Sequence, residues 1–544
     1  MDENPETKPT DNTPPPGSSQ RKMSDAERKE PVDKKRIALL NGACGQGDRV
    51  SISGQVVDIP VTATQKTETW DLVNSIPASQ KSKIRPIMDF GMAGVRKARL
   101  QLEILERPAS AAKDGALTQE ELEAAKVLFT SEVFVGNDNS FFQIELKTDL
   151  PAGDYIVRVI LRGIDSLRQS VSDLAFIGDS KSLILKKDIP IGHGRLRILD
   201  SDYKGLIITS DIDQTFLDTR IDSNRGLLGT LFEELTDKKP LPGMPELFRE
   251  IQAGPIGPVP LYFISASPHF FRRTFSSLFD HLQVDYTGLN LKYVMNTVDS
   301  VIRKTVQTVL NLDDLLADGF GPAMERTMKF LTSSVDSIFD HIPYKLGTLL
   351  ENRLMQPTGA REILLGDNTE SDAFIFTLYQ GLLLGKMRGA ELEEYLYKLK
   401  FRGREALTRD AAKRVCVLTE QNLERHGNVN SVSEVWINQA FAEPDEPSMI
   451  ESIKEALPPN MLSEDELARK KEGEIKLFRA CYGAVGFSML AMESNLIEKE
   501  QVERIWNSLM GATLRGESVT AETFRKVAAK LNIARDDFID SFLS

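Results

Sequence analysis

Two aspartates and a threonine, Asp211, Asp213 and Thr215, follow directly on an apolar, β-branched run at residues 205–210. Such a run is typical of a buried parallel strand, and open α/β sheets form their ligand crevice beyond the carboxyl ends of these strands. The two carboxylates could hold a hard cation through oxygen. One could also attack a phosphoryl group while its neighbour handles the proton. Taken alone, however, the pair could equally be a solvated turn.

Two further predicted strands end in side chains of the same kind: Ser265 and Ser267 follow one, Asp367 and Asp372 follow the other, and Lys345 lies between them in the chain. Phosphoryl transfer needs a carboxylate nucleophile, an acid/base, a hydroxyl and a cation on the phosphoryl oxygens, and acidic ligands for Mg²⁺. Together the three strand ends predict a phosphoryl-transfer site.

Three of these residues also have a structural explanation. Ser267 could cap the following helix. Lys345 on its own would be a surface lysine, and Asp372 could complement the dipole at a helix N-terminus.

Composition limits the classes of function. The chain has 544 residues, of which 41% are hydrophobic and 27% charged, and this length and composition predict a globular protein of several domains. A net charge of −13 argues against nonspecific nucleic-acid binding, which needs a basic surface. The 3 cysteines have no metal or disulfide spacing, which indicates a reducing compartment, and the 5 scattered histidines argue against a histidine metal centre.

We expect a cytoplasmic protein with no transmembrane segment. The longest weakly polar run, residues 480–492, is interrupted by glycines and is too short to span a bilayer, and the N-terminus lacks the apolar core of a secretory signal. Residues 386–414 mix basic and aromatic side chains, which on one helix could contact an anionic membrane surface. Glutamates in the same stretch make a solvated helix the alternative.

Four regions are predicted along the chain. Residues 1–36 are polar and charged and predict a disordered tail. Residues 37–200 carry short alternating strands separated by turns, typical of a β-sandwich, with a helical insertion. Residues 201–388 alternate strand and helix, the pattern of a parallel sheet, and contain a second helical insertion at about 296–342. Residues 389–544 predict a helical C-terminal region.

The motifs, in this order, resemble those of the haloacid dehalogenase superfamily: Asp-x-Asp-x-Thr, a Ser or Thr after a strand, a Lys, and an acidic pair. More closely, the region is similar to the actin-patch-associated phosphatidate phosphatases of fungi and their bacterial homologues. The resemblance is carried by residues 208–215, residues 262–268, Lys345 and residues 364–372, with a weaker likeness in the β domain near residues 47–56. It implies a Rossmann-like catalytic domain of a bacterial-type homologue.

The resemblance also implies a role for each residue. Asp211 would be the nucleophile that becomes an aspartyl-phosphate, and Asp213 would be the acid/base. The phosphoryl oxygens would be held by Thr215, Ser265, Ser267 and Lys345. The Mg²⁺ ligands would be Asp211, the backbone carbonyl of Asp213, Asp367 and, in support, Asp372. Gln214 departs from the family, which usually has Gly or Asp at this position.

We therefore expect a Mg²⁺-dependent phosphatase that hydrolyses phosphatidate to diacylglycerol and phosphate, and that could reach lipid at the membrane surface through the insertion or residues 386–414. One alternative is a phosphatase of a soluble phosphomonoester or a phosphoprotein. Another is a non-catalytic adaptor on the same fold, although the intact acidic set argues against it.

Overall fold

The computed structural model describes residues 34–60, 93–108, 119–138, 140–164, 189–218, 239–292, 341–369, 371–401, 404–405, 407–440, 444–459, 461, 478–514, 516–531 and 542. The predicted disordered tail and the predicted insertion at about 296–342 lie outside these residues, apart from residues 34–36 and 341–342.

The described residues form strands and helices throughout the chain. The strands are β1 Lys34–Gln46, β2 Arg49–Pro60, β3 Ala93–Gly94, β4 Ala98–Glu106, β5 Val127–Thr130, β6 Phe134–Val135, β7 Phe141–Lys147, β8 Gly153–Ile164, β9 Ile189–Leu199, β10 Leu206–Asp211, β11 Leu261–Pro268, β12 Gly288–Lys292, β13 Arg361–Asp367, β14 Lys400–Phe401, β15 Arg404–Glu405, β16 Val432–Asn438, β17 Phe478–Cys481, β18 Thr513–Leu514 and β19 Glu517–Ser518. The helices are α1 Gln119–Ala124, α2 Met244–Gln252, α3 Arg272–His281, α4 His341–Leu354, α5 Asp372–Leu383, α6 Gly389–Lys398, α7 Arg409–His426, α8 Glu446–Ala456, α9 Gly483–Glu493, α10 Lys499–Leu509 and α11 Ala521–Leu531.

Six parallel strands lie side by side in the order β17-β16-β13-β10-β11-β12. The first of them in the chain, β10, lies inside the sheet, and every one of its residues is buried. Strands covered on both faces are apolar along their whole length, which is why the run before Asp211 predicts a strand so clearly. From β10 the chain builds the sheet first towards β12 and later, in the other direction, towards β17.

The N-terminal strands continue the same sheet. β1 pairs in parallel with β9 and forms an antiparallel hairpin with β2, and it meets β12 through the pair Gly42 and Gly288. A Cβ on Gly42 would lie 2.5 Å from the Cα of Gly288, and the φ of Gly42 is +119°, so only glycine fits this junction. Alternating inward side chains of β1, β2, β4, β7, β8 and β9 form one apolar core in this part.

The helical C-terminal region predicted for residues 389–544 is wrong in part, because these residues also add β16 and β17 to the parallel sheet. β16 is only 7 residues long and β17 only 4, and runs this short do not separate strand from helix by periodicity. Residues 386–414 are not one helix either: α6 and α7 are joined by the small β14–β15 hairpin.

The glycine-interrupted run at residues 480–492 forms most of α9, and this helix is buried within the protein. Phe487 stacks on Trp436 of β16 with ring centroids 6.0 Å apart, and it shares a core with Phe263 of β11. None of the helices in the described part of the chain is both long and apolar enough to cross a membrane.

Because α9 completes the core under the parallel sheet, Phe487→Ala should lower the free energy of unfolding by about 3–5 kcal/mol. Chemical denaturation measures this change. Val417→Ala on α7 is the control, since that side chain is 55% exposed and its loss should change stability by less than about 0.5 kcal/mol. Equal stability of the two variants would mean that α9 does not contribute to the sheet's core.

Candidate active site

The predicted site residues lie where the order of the parallel strands reverses. β10 ends at Asp211 between β11 on one side and β13 on the other, and β13 ends at Asp367. Because the connections from these strands leave in opposite directions, a crevice forms at this edge of the sheet, the usual place for a ligand in open α/β folds. Thr215 and Ser265 also lie here, fully buried.

A buried lysine joins two of the aspartates. The Nζ of Lys345 lies 2.8 Å from Oδ1 of Asp211 and 2.5 Å from Oδ1 of Asp372, and all three side chains are at most 2% exposed. Lys345 comes from the first turns of α4, whose neighbouring leucines Leu346 and Leu349 are buried in the core. The surface position that Lys345 would have on its own is therefore excluded.

Carboxylate oxygens of Asp211, Asp367 and Asp372 all lie within 4.8 Å of one another, and all three residues are buried. With Lys345 as their cation, this set carries two formal negative charges in excess, and buried charge is costly unless it is compensated. A set of oxygen ligands of this kind fits a hard divalent cation. The site could therefore hold a metal ion on these three side chains.

The carboxylate of Asp213 lies outside that group. Its Oδ2 accepts hydrogen bonds from the hydroxyls of Ser265 at 2.8 Å and Ser267 at 3.0 Å. Its Oδ1 and the hydroxyl of Thr215 are buried and have no hydrogen-bond partner among the described residues. This geometry therefore does not favour the predicted metal contact through the side chain of Asp213. The contact predicted for its backbone carbonyl stays a prediction.

The two serines are held as a unit. The backbone N–H of Ser267 donates to Oγ of Ser265 at 2.9 Å, so this hydroxyl is oriented towards Asp213 by the turn after β11. A hydroxyl has one proton to donate. In this arrangement Ser265 and Ser267 therefore position the carboxylate of Asp213 and cannot at the same time donate to a phosphoryl oxygen.

A histidine also lies near this edge of the sheet. His269 begins the short 3₁₀ turn just after β11. Burial, with a smaller contribution from Arg272, lowers the pKa of His269 to about 3, so its imidazole is neutral at physiological pH.

The acidic pair depends on two residues near Asp367. Thr369 donates to Oδ1 of Asp367 through its backbone N–H at 2.6 Å and also through its hydroxyl. Gly366 faces Asp372: a Cβ added to Gly366 would lie 2.6 Å from both Cβ and Oδ2 of Asp372. Glycine is thus required for the start of α5 to approach β13 and bring Asp372 to Lys345.

A residue that the sequence reasoning missed, Asn438, holds the loop that follows Asp213. Asn438, the last residue of β16, donates from Nδ2 to the carbonyl of Gln214 at 2.5 Å and accepts from the N–H of Gly483 at 2.8 Å. Gln214 has φ +55°, a conformation that Gly, Asn and Asp adopt more readily. Its unusual identity at this position is therefore compensated by a hydrogen bond from the adjoining strand.

The short apolar run Val435–Ile437 and the polar residue that follows it are the signal that could have revealed Asn438. It pairs in register with Asp367 of β13 and so lies at the same edge of the sheet. The helical interpretation of residues 389–544 hid this signal.

Residues 206–317 match the sequence model of the protein family described as phosphatidate phosphatase APP1, catalytic domain. This part of the chain is similar to that family. The match includes β10, β11 and β12 and therefore Asp211, Asp213, Thr215, Ser265 and Ser267, whereas Lys345 and the acidic pair follow it in the chain. The resemblance inferred from the motifs is confirmed, and the family implies a phosphoric monoester hydrolase. No curated protein matches the chain.

Gly366→Ala should weaken divalent-metal binding, because the added methyl group displaces Asp372. Mg²⁺ should raise the melting temperature of the wild-type protein, as any ligand of the folded state does, and should raise that of the variant less. Gly347→Ala is the matched control: it lies on α4 two residues from Lys345, and its Cβ would meet nothing within 4 Å. An undiminished Mg²⁺ effect in Gly366→Ala would contradict the assignment of Asp372 to the metal group.

Proposed function

We propose that this protein is a Mg²⁺-dependent phosphatidate phosphatase with a Rossmann-like catalytic domain of the haloacid dehalogenase type, preceded by a β-sandwich domain. One observation carries the proposal. The Nζ of Lys345 lies within 2.8 Å of carboxylate oxygens of both Asp211 and Asp372, beside Asp213 with its hydrogen bond from Ser265. The strand order around β10 supports the fold assignment, and the family match supports phosphatidate as the substrate.

The first half of the reaction uses Asp211 and Asp213. A carboxylate oxygen of Asp211 attacks phosphorus, the bond from phosphorus to the ester oxygen breaks, and an aspartyl-phosphate forms. Asp213 donates its proton to the departing diacylglycerol oxygen. Its Oδ1 is the atom suited to this transfer, because Oδ2 is already bound by two serine hydroxyls.

The second half reverses the role of Asp213. The carboxylate now accepts a proton from water, the water oxygen attacks phosphorus, and the bond to Asp211 breaks to release inorganic phosphate. Lys345 offsets charge on Asp211 and on the phosphoryl oxygens, and the hydroxyl of Thr215 is free to donate to one of those oxygens.

Asp211, Asp367 and Asp372 would hold the Mg²⁺, with the backbone carbonyl of Asp213 as a further ligand. When bound, the ion would supply positive charge next to the phosphoryl group. The protein is proposed to act from the cytoplasm on phosphatidate at a membrane surface. Residues 386–414 could take part in this contact, and within this stretch Arg409 stacks on Tyr397 and Lys398 pairs with Glu394.

The assay that tests the proposal measures phosphate release from phosphatidate vesicles and from a soluble phosphomonoester, each with and without Mg²⁺. Mg²⁺-dependent release from vesicles is expected. Release from the soluble ester alone would transfer the proposal to a soluble substrate. No release from either would favour an adaptor role.

Asp211→Asn should abolish Mg²⁺-dependent phosphate release, because an amide cannot form the phospho-enzyme. Asp202→Asn is the matched control, since Asp202 is exposed and lies just before β10. Thermal unfolding shows whether the fold persists. A variant that turns over at the wild-type rate would exclude Asp211 as the nucleophile.

Asp213→Asn should lower kcat by about 10²–10⁴-fold, the range for loss of a general acid/base. Asparagine keeps the size of the side chain and can still accept from Ser265, so the pocket should remain intact. A substrate with a better leaving group needs less protonation and should recover much of the lost rate. Equal losses with good and poor leaving groups would contradict the proton-donor role.

A further inference from the structure

A cavity of about 320 Å³ lies apart from the catalytic edge, between α3 and the N-terminal strands β1, β8 and β9. None of the predicted catalytic, phosphate-binding or metal residues lines it. Its size falls within the range of small-molecule sites, and clefts between structural units are where such sites most often form. The cavity is therefore large enough for a ligand of its own.

Cationic side chains predominate around this cavity. Four arginines line it, against one carboxylate, that of Asp280; the arginines are Arg107, Arg195, Arg272 and Arg273. Arg195 pairs with Asp280 at 3.1 Å and with Asp285 at 2.7 Å. Arg107 lies 3.7 Å from Asp285, and also near Asp154. These two arginines are thus partly neutralised.

Arg272 has a different environment. It is 4% exposed, and its guanidinium donates to the carbonyls of Leu40 at 2.7 Å and Leu289 at 2.6 Å and to Oδ1 of Asn41 at 2.6 Å. All three acceptors are neutral, and no carboxylate of the described residues pairs with this side chain. Burial lowers the pKa of Arg272 to about 10, so it remains charged at physiological pH.

A buried charge without a counter-ion is expensive, and a bound anion would compensate it. Arginine has five N–H donors, of which the three hydrogen bonds of Arg272 use three. Planar guanidinium groups match phosphate oxygens in charge and geometry. The lining also includes apolar residues, among them Leu39 and Ile156, which suit the organic part of an ester.

We propose that this cavity, defined by Arg107, Arg195, Arg272 and Arg273, is a second binding site that takes a ligand carrying a phosphate group. The ligand could be a phospholipid headgroup or a free phosphate ester, because both present the same anion. The site is separate from the catalytic carboxylates and does not depend on the proposed reaction.

Titration of the full chain with inorganic phosphate in EDTA, at constant ionic strength, tests the site by calorimetry. EDTA removes divalent cations, so that the catalytic carboxylates repel the anion. We expect saturable binding by the wild-type protein. Arg273→Glu, on the partly exposed side of the cavity, and Ser276→Phe, which fills it, should each weaken binding by about tenfold or more.

Lys413→Glu is the control for Arg273→Glu, since it makes the same change in net charge at an exposed position on α7. Its affinity for phosphate should equal that of the wild type, and thermal unfolding checks that every variant is folded. Absence of binding by the wild type, or undiminished binding by Ser276→Phe, would overturn the proposal.

Sedimentation with phosphatidylcholine vesicles, with and without phosphatidylglycerol, distinguishes the two sources of the phosphate group. If the cavity binds a lipid headgroup, both cavity variants should lose binding to the phosphatidylglycerol vesicles. Lys526→Glu, the same charge change at an exposed position on α11 outside residues 386–414, should keep it. If the cavity binds a free ester, the variants should lose phosphate binding and sediment as the wild type does.

Discussion

The contact of one buried ammonium group with two carboxylates determines the arrangement of the catalytic edge. Lys345 reaches Asp211 at the end of β10 and Asp372 at the start of α5, so three chain-distant segments must be placed to within a fraction of an ångström. Removing the lysine would leave these carboxylates buried without their cation, which typically costs about 3–5 kcal/mol, a large part of the roughly 5–15 kcal/mol by which a domain is stable. The same contact leaves a net negative charge that a divalent cation can neutralise.

The fold supports that contact from both sides of β10. On one side, Gly366 lets α5 approach β13 closely enough for Asp372 to reach the lysine. Next to β13, Asn438 of β16 holds the carbonyl of Gln214. On the other side, the turn after β11 aligns two serine hydroxyls on Asp213. Asp211 and Asp213 are therefore contacted by different elements, α4 and the turn after β11, so their carboxylates have different surroundings although they are two residues apart.

The sequence predicts those parts of the site that depend on local patterns. The apolar runs of β10, β11 and β13 and the polar residues after them are visible without a structure, as is the order of the motifs. The burial of Lys345 cannot be seen in the sequence, since a lysine near the start of a helix is ordinarily exposed. The pairing of Asp213 with Ser265 and Ser267 is also not visible in the sequence, because hydrogen bonds between chain-distant side chains leave no periodic signal. β16 and β17 were missed because the hydrophobic pattern of such short strands cannot be distinguished from that of the neighbouring helices.

The catalytic edge and the arginine-lined cavity show opposite imbalances of buried charge. The first has three carboxylates around one lysine. The second has the guanidinium of Arg272, whose hydrogen-bond acceptors among the described residues are all neutral. A protein tolerates such imbalance where a ligand completes the charge, because binding to the folded state stabilises it. Since β12 and β1 join both sites into one sheet through Gly42 and Gly288, the proposed metal-dependent reaction and the proposed second anion site share one framework.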